Sequence, residues 1–161
     1  MKESALRIAI ATEADIPAMV EISKASMGEK AWPAEVFRLY FRNNRSILAA
    51  WYKERTGCVV LVGYLAQIFE SPNLSIEQLA VVADYRRCGI ASNLIEQAAS
   101  KINANTFSSI VATVDEYNLP AQMLLSSLGF LATVMTKGRR KTDHDSYTFE
   151  FALPQYAAGS R

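Results

Sequence analysis

The feature that most constrains this fold is a pair of apolar segments separated by a short polar turn. Residues 47–52 and 58–68 are strongly apolar, and residues 53–57 between them read Lys-Glu-Arg-Thr-Gly. Two apolar segments joined by a short polar connection that contains glycine are typical of an antiparallel β-hairpin. The sequence therefore predicts antiparallel strand pairing in the first half of the chain.

The remaining segments alternate between strand and helix patterns. Leu6, Ile8 and Ile10 alternate with less apolar residues, which indicates a first strand, and Thr12 with Asp15 resembles a helix capping box. A first helix is predicted after Thr12, and further helices over about 33–42, 91–102 and 118–128; further strands are predicted over 74–82, 109–114, 130–136 and 146–153. The order β-α-α-β-β-β-α-β-α-β-β predicts a mixed α/β (α+β) sheet with helices on both faces.

The composition limits the class of protein. The chain has 161 residues and a formal net charge of +1, which gives no electrostatic reason to expect nucleic-acid binding. Two cysteines, Cys58 and Cys88, are too few for a disulfide framework, and the apolar run 58–66 is too short to span a bilayer. We expect one cytoplasmic domain over residues 1–153 with a tail over 154–161, no membrane partner and no metal site. The single histidine, His144, lies in a charged turn and is read as non-catalytic.

The most informative segment joins a predicted strand to an amphipathic helix. It reads Val-Val-Ala-Asp-Tyr-Arg-Arg-Cys-Gly-Ile-Ala over residues 81–91. Main-chain N–H groups at a helix N-terminus have no intrahelical partner, and the helix dipole favours an anion there. Gly89 and Ala91 leave room for a phosphate, and Arg86 and Arg87 add positive charge. The alternative is an ordinary strand-to-helix turn with two solvated arginines, since neither a P-loop nor a dinucleotide fingerprint is present.

Two motifs resemble those of the GNAT acyltransferases. Residues 86–91 resemble the R/Q-x-x-G-x-G/A signature, and residues 118–130 resemble the family's N-x-x-A-x-x-L-Y-x-x-x-G-F segment. The strand at 76–81 and the opening at 7–15 are also similar to those of the family. The resemblance implies a twisted, mostly antiparallel GNAT-like sheet of about seven strands.

The resemblance further implies acetyl-CoA as cosubstrate. It assigns the pyrophosphate to main-chain amides of the signature loop and the pantetheine arm to the preceding strand, with a further contact from Asn118, whose alternative role is an N-cap. The implied cofactor-binding residues are Leu79, Ala80, Val81, Arg86, Arg87, Cys88, Gly89, Ile90, Ala91, Ser92 and Asn118. An N–H group near Leu79 would also polarise the thioester carbonyl.

Glu77 is the candidate general base. An acceptor ammonium must lose a proton before it attacks the thioester, and relatives carry a glutamate in this strand that serves as base or binds the amine. Strand alternation predicts that Glu77 shares a face with Leu79 and Val81. The alternative is a surface carboxylate on a strand.

The general acid departs from the family pattern. Leu125 stands where the family commonly has tyrosine, and leucine cannot donate a proton. Tyr117 and Tyr147 could donate the proton instead, but each is more readily explained as a packing residue. The thiolate could also leave unassisted. Four aromatic residues of the second-helix region are expected to be mostly packing residues, with one or two shaping the acceptor site: Trp32, Phe37, Tyr40 and Phe41.

Two functions remain open at this point. The first is an N-acetyltransferase that acts on a small-molecule amine or a protein N-terminus by direct transfer. The second is an acetyl-CoA-binding regulatory module without turnover. This alternative remains because Leu125 stands where the family commonly has tyrosine. The resemblance also allows a homodimer, since many relatives dimerise.

Overall fold

The structure is a computed structural model that describes residues 5–140 and 143–154. The strands are β1 (Leu6–Ile10), β2 (Arg45–Lys53), β3 (Val59–Glu70), β4 (Asn73–Val81), β5 (Ser109–Asp115), β6 (Leu131–Thr136) and β7 (Ser146–Ala152). The α-helices are α1 (Ile16–Met27), α2 (Ala34–Leu39), α3 (Ile90–Ser100) and α4 (Leu119–Ser127). Residues 155–161 of the predicted tail lie outside the described residues.

The seven strands form one sheet in the order β1-β2-β3-β4-β5-β7-β6. The pairs β1–β2, β2–β3, β5–β7 and β7–β6 are antiparallel, whereas β4 and β5 are parallel. The predicted hairpin at 47–68 is confirmed, with Leu48 opposite Leu65 in the β2–β3 register. The mixed, mostly antiparallel sheet and the predicted element order are therefore both confirmed.

The chain forms two compact units, which divide within β4. The first contains Met1–Ile68 and Gln78–Ser100, and the second contains Phe69–Glu77 and Lys101–Arg161, each as far as it is described. In the first unit, Ile47 and Ala49 of β2 belong to a core cluster that includes α1 and α2 residues. Leu48 and Ala50 are fully buried and alternate with them, and α3 contacts β2. Helices therefore cover both faces of β2, because successive strand residues point to opposite sides.

The second unit has one buried sheet face. Ile110, Ala112 and Val114 of β5 are buried, and Phe149 lies opposite Ala112 on β7. The residues just after α4 pack on this face, where the rings of Phe130 and Phe151 have centroids 5.5 Å apart. Gly129 ends the helix at φ 92°, a left-handed conformation that glycine adopts without steric cost.

Helix α2 is shorter than predicted. The pattern suggested residues 33–42, but the helix ends at Leu39. Tyr40 and Phe41 continue the apolar spacing because they pack into the core cluster, not because the helix continues. The chain instead turns, with Asn43 at φ 56°.

Candidate functional site

The predicted phosphate loop is a tight strand-to-helix connection. After β4 ends at Val81, a 3₁₀ turn covers Ala83–Tyr85, and α3 begins at Ile90. Two residues of the loop have left-handed backbone: Arg87 at φ 60° and Gly89 at φ 78°. A Cβ atom at Gly89 would have no atom closer than Asn93 Nδ2 at 3.9 Å. Glycine is therefore favoured here by its backbone conformation and not by crowding within the protein.

The loop presents a run of unpaired main-chain donors. Asn93 N donates to Gly89 O at 3.0 Å, which is the first hydrogen bond of α3. In the described parts of the chain, the six N–H groups from Arg87 to Ser92 donate to no protein acceptor. Arg87, Cys88 and Gly89 are exposed. Unpaired amides at a helix N-terminus, next to left-handed residues, form an anion-binding arrangement that fits a pyrophosphate.

The two arginines of the loop differ in role. Arg86 Nε donates to the carbonyl oxygen of Val81 at 3.0 Å, and Arg86 Nη2 donates to Ser26 Oγ of α1 at 3.4 Å. Arg86 therefore fixes the loop against the end of β4. Arg87 is exposed and has no hydrogen bond or ion pair with the described residues, so its guanidinium is available to an anion.

Cys88 is exposed and its thiol donates to the Arg86 carbonyl oxygen at 3.6 Å. This contact orients the small side chain across the turn. It leaves the Cys88 amide among the unpaired donors.

The last residues of β4 offer main-chain groups more than side chains. Ala80 and Val81 are buried and Leu79 is half-buried. The parallel register of β4 with β5 covers Asn73–Ile76, so the strand continues beyond its pairing with β5. An extended ligand arm can hydrogen-bond to such a strand edge in the manner of an added strand.

Glu77 lies just past the end of that pairing. Its carboxylate is exposed, while Ile76 and Gln78 on either side are buried. Ser75 Oγ donates to Glu77 Oε1 at 2.6 Å, so the two side chains share a face of β4. Glu77 keeps further lone pairs that can accept a proton from a ligand.

The second unit has an open sheet face that sequence reasoning missed. It begins at Ser75 and Glu77 and continues over the outward-pointing residues of β5, β7 and β6, none of which is buried. The open face consists of Ser75, Glu77, Val111, Thr113, Asp115, Ser146, Thr148, Glu150, Leu131, Val134 and Thr136. It carries three carboxylates and no lysine or arginine. The period-2 alternation of β5 and β7 could have revealed it.

Two pairs of polar side chains involve residues of this face. Thr113 and Thr148, opposite one another on β5 and β7, have hydroxyl oxygens 3.5 Å apart. Asp115 Oδ2 lies 2.9 Å from His144 Nδ1, and the Tyr117 ring meets the imidazole edge-on at 4.7 Å. The charged turn that contains His144 is therefore held to the end of β5, a contact between residues 29 positions apart.

Asn118 and Leu125 lie in the second unit with helix α4. Asn118 Oδ1 accepts from Ala121 N at 3.3 Å, so its N-cap role is confirmed, and its side-chain amide nitrogen keeps its donors. Leu125 is 4% exposed and is the buried residue of α4. The residue at the family's tyrosine position is thus a core residue here.

The aromatic residues of the second-helix region pack on one another. Phe37 is fully buried, Trp32 stacks on Tyr40 with centroids 4.9 Å apart, and Trp32 meets Phe37 edge-on at 5.5 Å. Phe41 also packs against the core cluster. This group stabilises the first unit as a packing cluster.

Among the described residues, no group of three or more His, Cys, Asp and Glu side chains could hold a metal ion. None of the helices in residues 5–140 and 143–154 combines the length and the apolar character needed to cross a membrane.

Comparison with known protein families identifies one family. A sequence model of the acetyltransferase (GNAT) family matches residues 16–130. No curated protein matches the chain.

Many solved structures have a similar fold. The ribosomal-protein-S18-alanine N-acetyltransferase from Escherichia coli superimposes with a TM-score of 0.80 at 16% identity, covering 95% of this chain and 97% of that chain. Arabidopsis thaliana NAA60 in complex with acetyl-CoA gives 0.79 at 19% identity, covering 92% and 99%. Nourseothricin acetyltransferase gives 0.73 at 14% identity, covering 94% and 100%.

Proposed function

The chain belongs to the GNAT acetyltransferase family and is an acyltransferase, and we propose that it transfers the acetyl group of acetyl-CoA directly to a primary amine. The observation that carries this proposal is the run of six unpaired amides from Arg87 to Ser92 at the start of α3. They are donors suited to a pyrophosphate, and Arg87 supplies a positive charge beside them. NAA60, with the same fold, was crystallised with acetyl-CoA.

The cosubstrate supplies an activated acetyl group as a thioester. In our proposal the amides of the loop, including those of Cys88, Gly89, Ile90 and Ala91, bind the pyrophosphate. Main-chain groups of Leu79, Ala80 and Val81 align the pantetheine arm. The Leu79 amide would donate to the thioester carbonyl oxygen, where negative charge develops during attack.

Glu77 is the proposed general base. Its exposed carboxylate can take the proton from the acceptor ammonium, which must be neutral to attack the thioester. The open face supports this role, because Asp115 and Glu150 on the same face add negative charge near which a cationic amine is favoured. The leaving thiolate needs no protein acid at Leu125, since a thiolate is a weak base compared with an amine.

The acceptor is a protein N-terminus or a small-molecule amine. The names of the similar structures include both classes: an enzyme for an alanine of ribosomal protein S18 and one for nourseothricin. We also propose a cytoplasmic enzyme, because both cysteines are free in the structure. A homodimer stays a prediction.

A regulatory acetyl-CoA-binding module is the second candidate, favoured by the buried Leu125. Calorimetric titration with acetyl-CoA, followed by thiol-release assays with alanine-starting peptides and with small amines, separates the two. Binding with turnover of either acceptor class supports the enzyme. Binding without turnover across the panel supports the module, and no binding contradicts both.

A further inference from the structure

A cluster of three polar side chains is buried inside the first unit, where the surrounding core is apolar. Ser23 of α1 and Tyr64 of β3 are fully buried, and Gln78 of β4 is 8% exposed. Tyr64 belongs to the same core cluster as Met19 and Phe37. Burying such groups is unfavourable unless they find hydrogen-bond partners, so their contacts require an explanation.

The three side chains bond to one another. Gln78 Oε1 accepts hydrogen bonds from Ser23 Oγ at 3.3 Å and from the Tyr64 hydroxyl. Ser23 Oγ in turn accepts from the Trp32 main-chain N–H at 2.8 Å. The network therefore joins four segments: α1, β3, β4 and the connection between α1 and α2.

Burial keeps the network in one protonation state. Desolvation raises the pKa of Tyr64 to about 12, with a smaller lowering by the hydrogen bond to Ser23. The Tyr64 hydroxyl thus remains a donor at all physiological pH values. The amide of Gln78 does not titrate either, so the hydrogen bond between Tyr64 and Gln78 does not change over the physiological pH range.

Gln78 occupies a distinctive place on β4. It stands between Glu77, the proposed base, and Leu79, the proposed amide donor. The parallel register with β5 ends at Ile76, so β4 beyond this residue lacks the β5 ladder that fixes its first half. A side-chain anchor at Gln78 can restrict the main chain where that ladder has ended.

We propose that Gln78, held by Ser23 and Tyr64, is a positioning residue that fixes β4 at Glu77 and Leu79 and ties it to the α1–α2 connection. The inference rests on the proposed function. Gln78 acts through its neighbours and touches neither the amine nor the thioester. Misplacing reacting groups by about 1 Å can lower a rate on the order of 10²-fold, so small shifts of β4 matter for turnover.

Two variants and a matched control test this role. Gln78→Met keeps the length and volume of the side chain but removes its acceptor, and Tyr64→Phe removes only the donor hydroxyl. Gln67→Met is the control: Gln67 is 1% exposed on β3, in the same unit, and its Nε2 donates to Ser46 Oγ at 3.0 Å. Gln78→Met loses two buried hydrogen bonds, whereas Tyr64→Phe and Gln67→Met each lose one.

We expect Gln78→Met and Tyr64→Phe to lower kcat by about 10- to 100-fold, a partial form of the misplacement effect. The calorimetric Kd for acetyl-CoA should stay within about twofold of the wild-type value. The loss should also be non-additive: in a Glu77→Gln background, Tyr64→Phe should lower kcat by a smaller factor than in the wild type, because one of the two groups it positions is already gone. Gln67→Met should leave kcat unchanged, because Gln67 bonds to Ser46 and not to the network around Gln78.

The outcomes separate this inference from the function on which it rests. Wild-type turnover with unchanged kcat in Gln78→Met and Tyr64→Phe overturns the positioning role alone. An equal loss of kcat in Gln67→Met also overturns it, since the effect would then follow core stability. Absence of wild-type turnover, despite acetyl-CoA binding, overturns the proposed function and the positioning role together.

Discussion

At the scale of single residues, the proposed role of Glu77 as general base depends on how its carboxylate is oriented. Buried neighbours on both sides hold the strand, and Ser75 Oγ fixes one carboxylate oxygen at 2.6 Å. The carboxylate is thereby oriented while it remains exposed. An oriented but exposed carboxylate suits a base that must meet an incoming ligand.

Glu77→Gln preserves size and hydrogen bonding but removes the basic oxygen. We expect kcat at neutral pH to fall on the order of 10²- to 10⁴-fold, the usual contribution of general-base catalysis. The Kd for acetyl-CoA, measured by calorimetry, should be unchanged. Glu70→Gln, at the exposed end of β3, is the control and should keep full activity. Full activity of Glu77→Gln would remove this residue from the mechanism.

Leu125 is a second residue whose role the structure specifies. Because it is buried in the core, a tyrosine there must find room for a larger ring and a hydroxyl. We expect Leu125→Tyr to destabilise the fold by about 1–3 kcal/mol, the typical cost of overpacking, and to give no gain in turnover. Met123→Tyr, at a 72% exposed position of the same helix, should leave the melting temperature unchanged. A faster Leu125→Tyr enzyme of wild-type stability would show that the ring reaches the thiolate.

At the scale of elements, the strand-to-helix loop is the proposed phosphate-binding part of the chain. Gly89→Val should weaken acetyl-CoA binding by more than about tenfold, since a branched side chain intrudes where the ligand meets the main chain. It also forces a β-branched residue to φ 78°, a strain of about 1–3 kcal/mol. Gly57→Val is the matched control, because Gly57 has φ 91° with open space around it in the β2–β3 turn. Both variants should lose similar stability, and only Gly89→Val should lose affinity. Equal affinities in calorimetry would refute the phosphate-loop assignment.

The sequence patterns predict the strands and helices better than they predict the contacts between these elements. Alternation and the hairpin turn were enough to place the strands, because each pattern is local. The different tasks of Arg86 and Arg87 could not be read from two adjacent identical residues, since they depend on the left-handed backbone at Arg87. The pairing of Asp115 with His144 was equally hidden, because strand register brings together residues that are distant in sequence.

At the scale of the whole molecule, the buried network makes the free energy of unfolding depend on pH in the alkaline range. The pKa of Tyr64 is raised to about 12 in the folded protein, against 10.0 in an exposed tyrosine. The protonated form is therefore favoured by folding, and its contribution is complete below pH 10. It is lost as the pH rises from 10 towards 12, by about 1.4 kcal/mol per pH unit.

Urea unfolding at pH 9 and pH 11 measures this dependence. We expect the free energy of unfolding of the wild type to fall over this interval more than that of Tyr64→Phe. Tyr85→Phe is the control, since it removes another tyrosine with a raised pKa that lies outside the buried network. The hydrogen bond of Tyr85 to Glu54 raises the pKa of Tyr85, with smaller contributions from desolvation and nearby charges. Identical pH slopes for the wild type and Tyr64→Phe would mean that the Tyr64 hydroxyl is not buried as described.

The proposed reaction moves an acetyl group from acetyl-CoA to an amine. The most direct measurement follows free CoA and acetylated amine together, with peptides and small amines as acceptors and Gly89→Val as the binding-deficient control. We predict that CoA release by the wild type depends on the amine and equals the acetylated product mole for mole, and that Gly89→Val loses both. A wild type that binds acetyl-CoA but releases no CoA with any acceptor of the panel would contradict the claim.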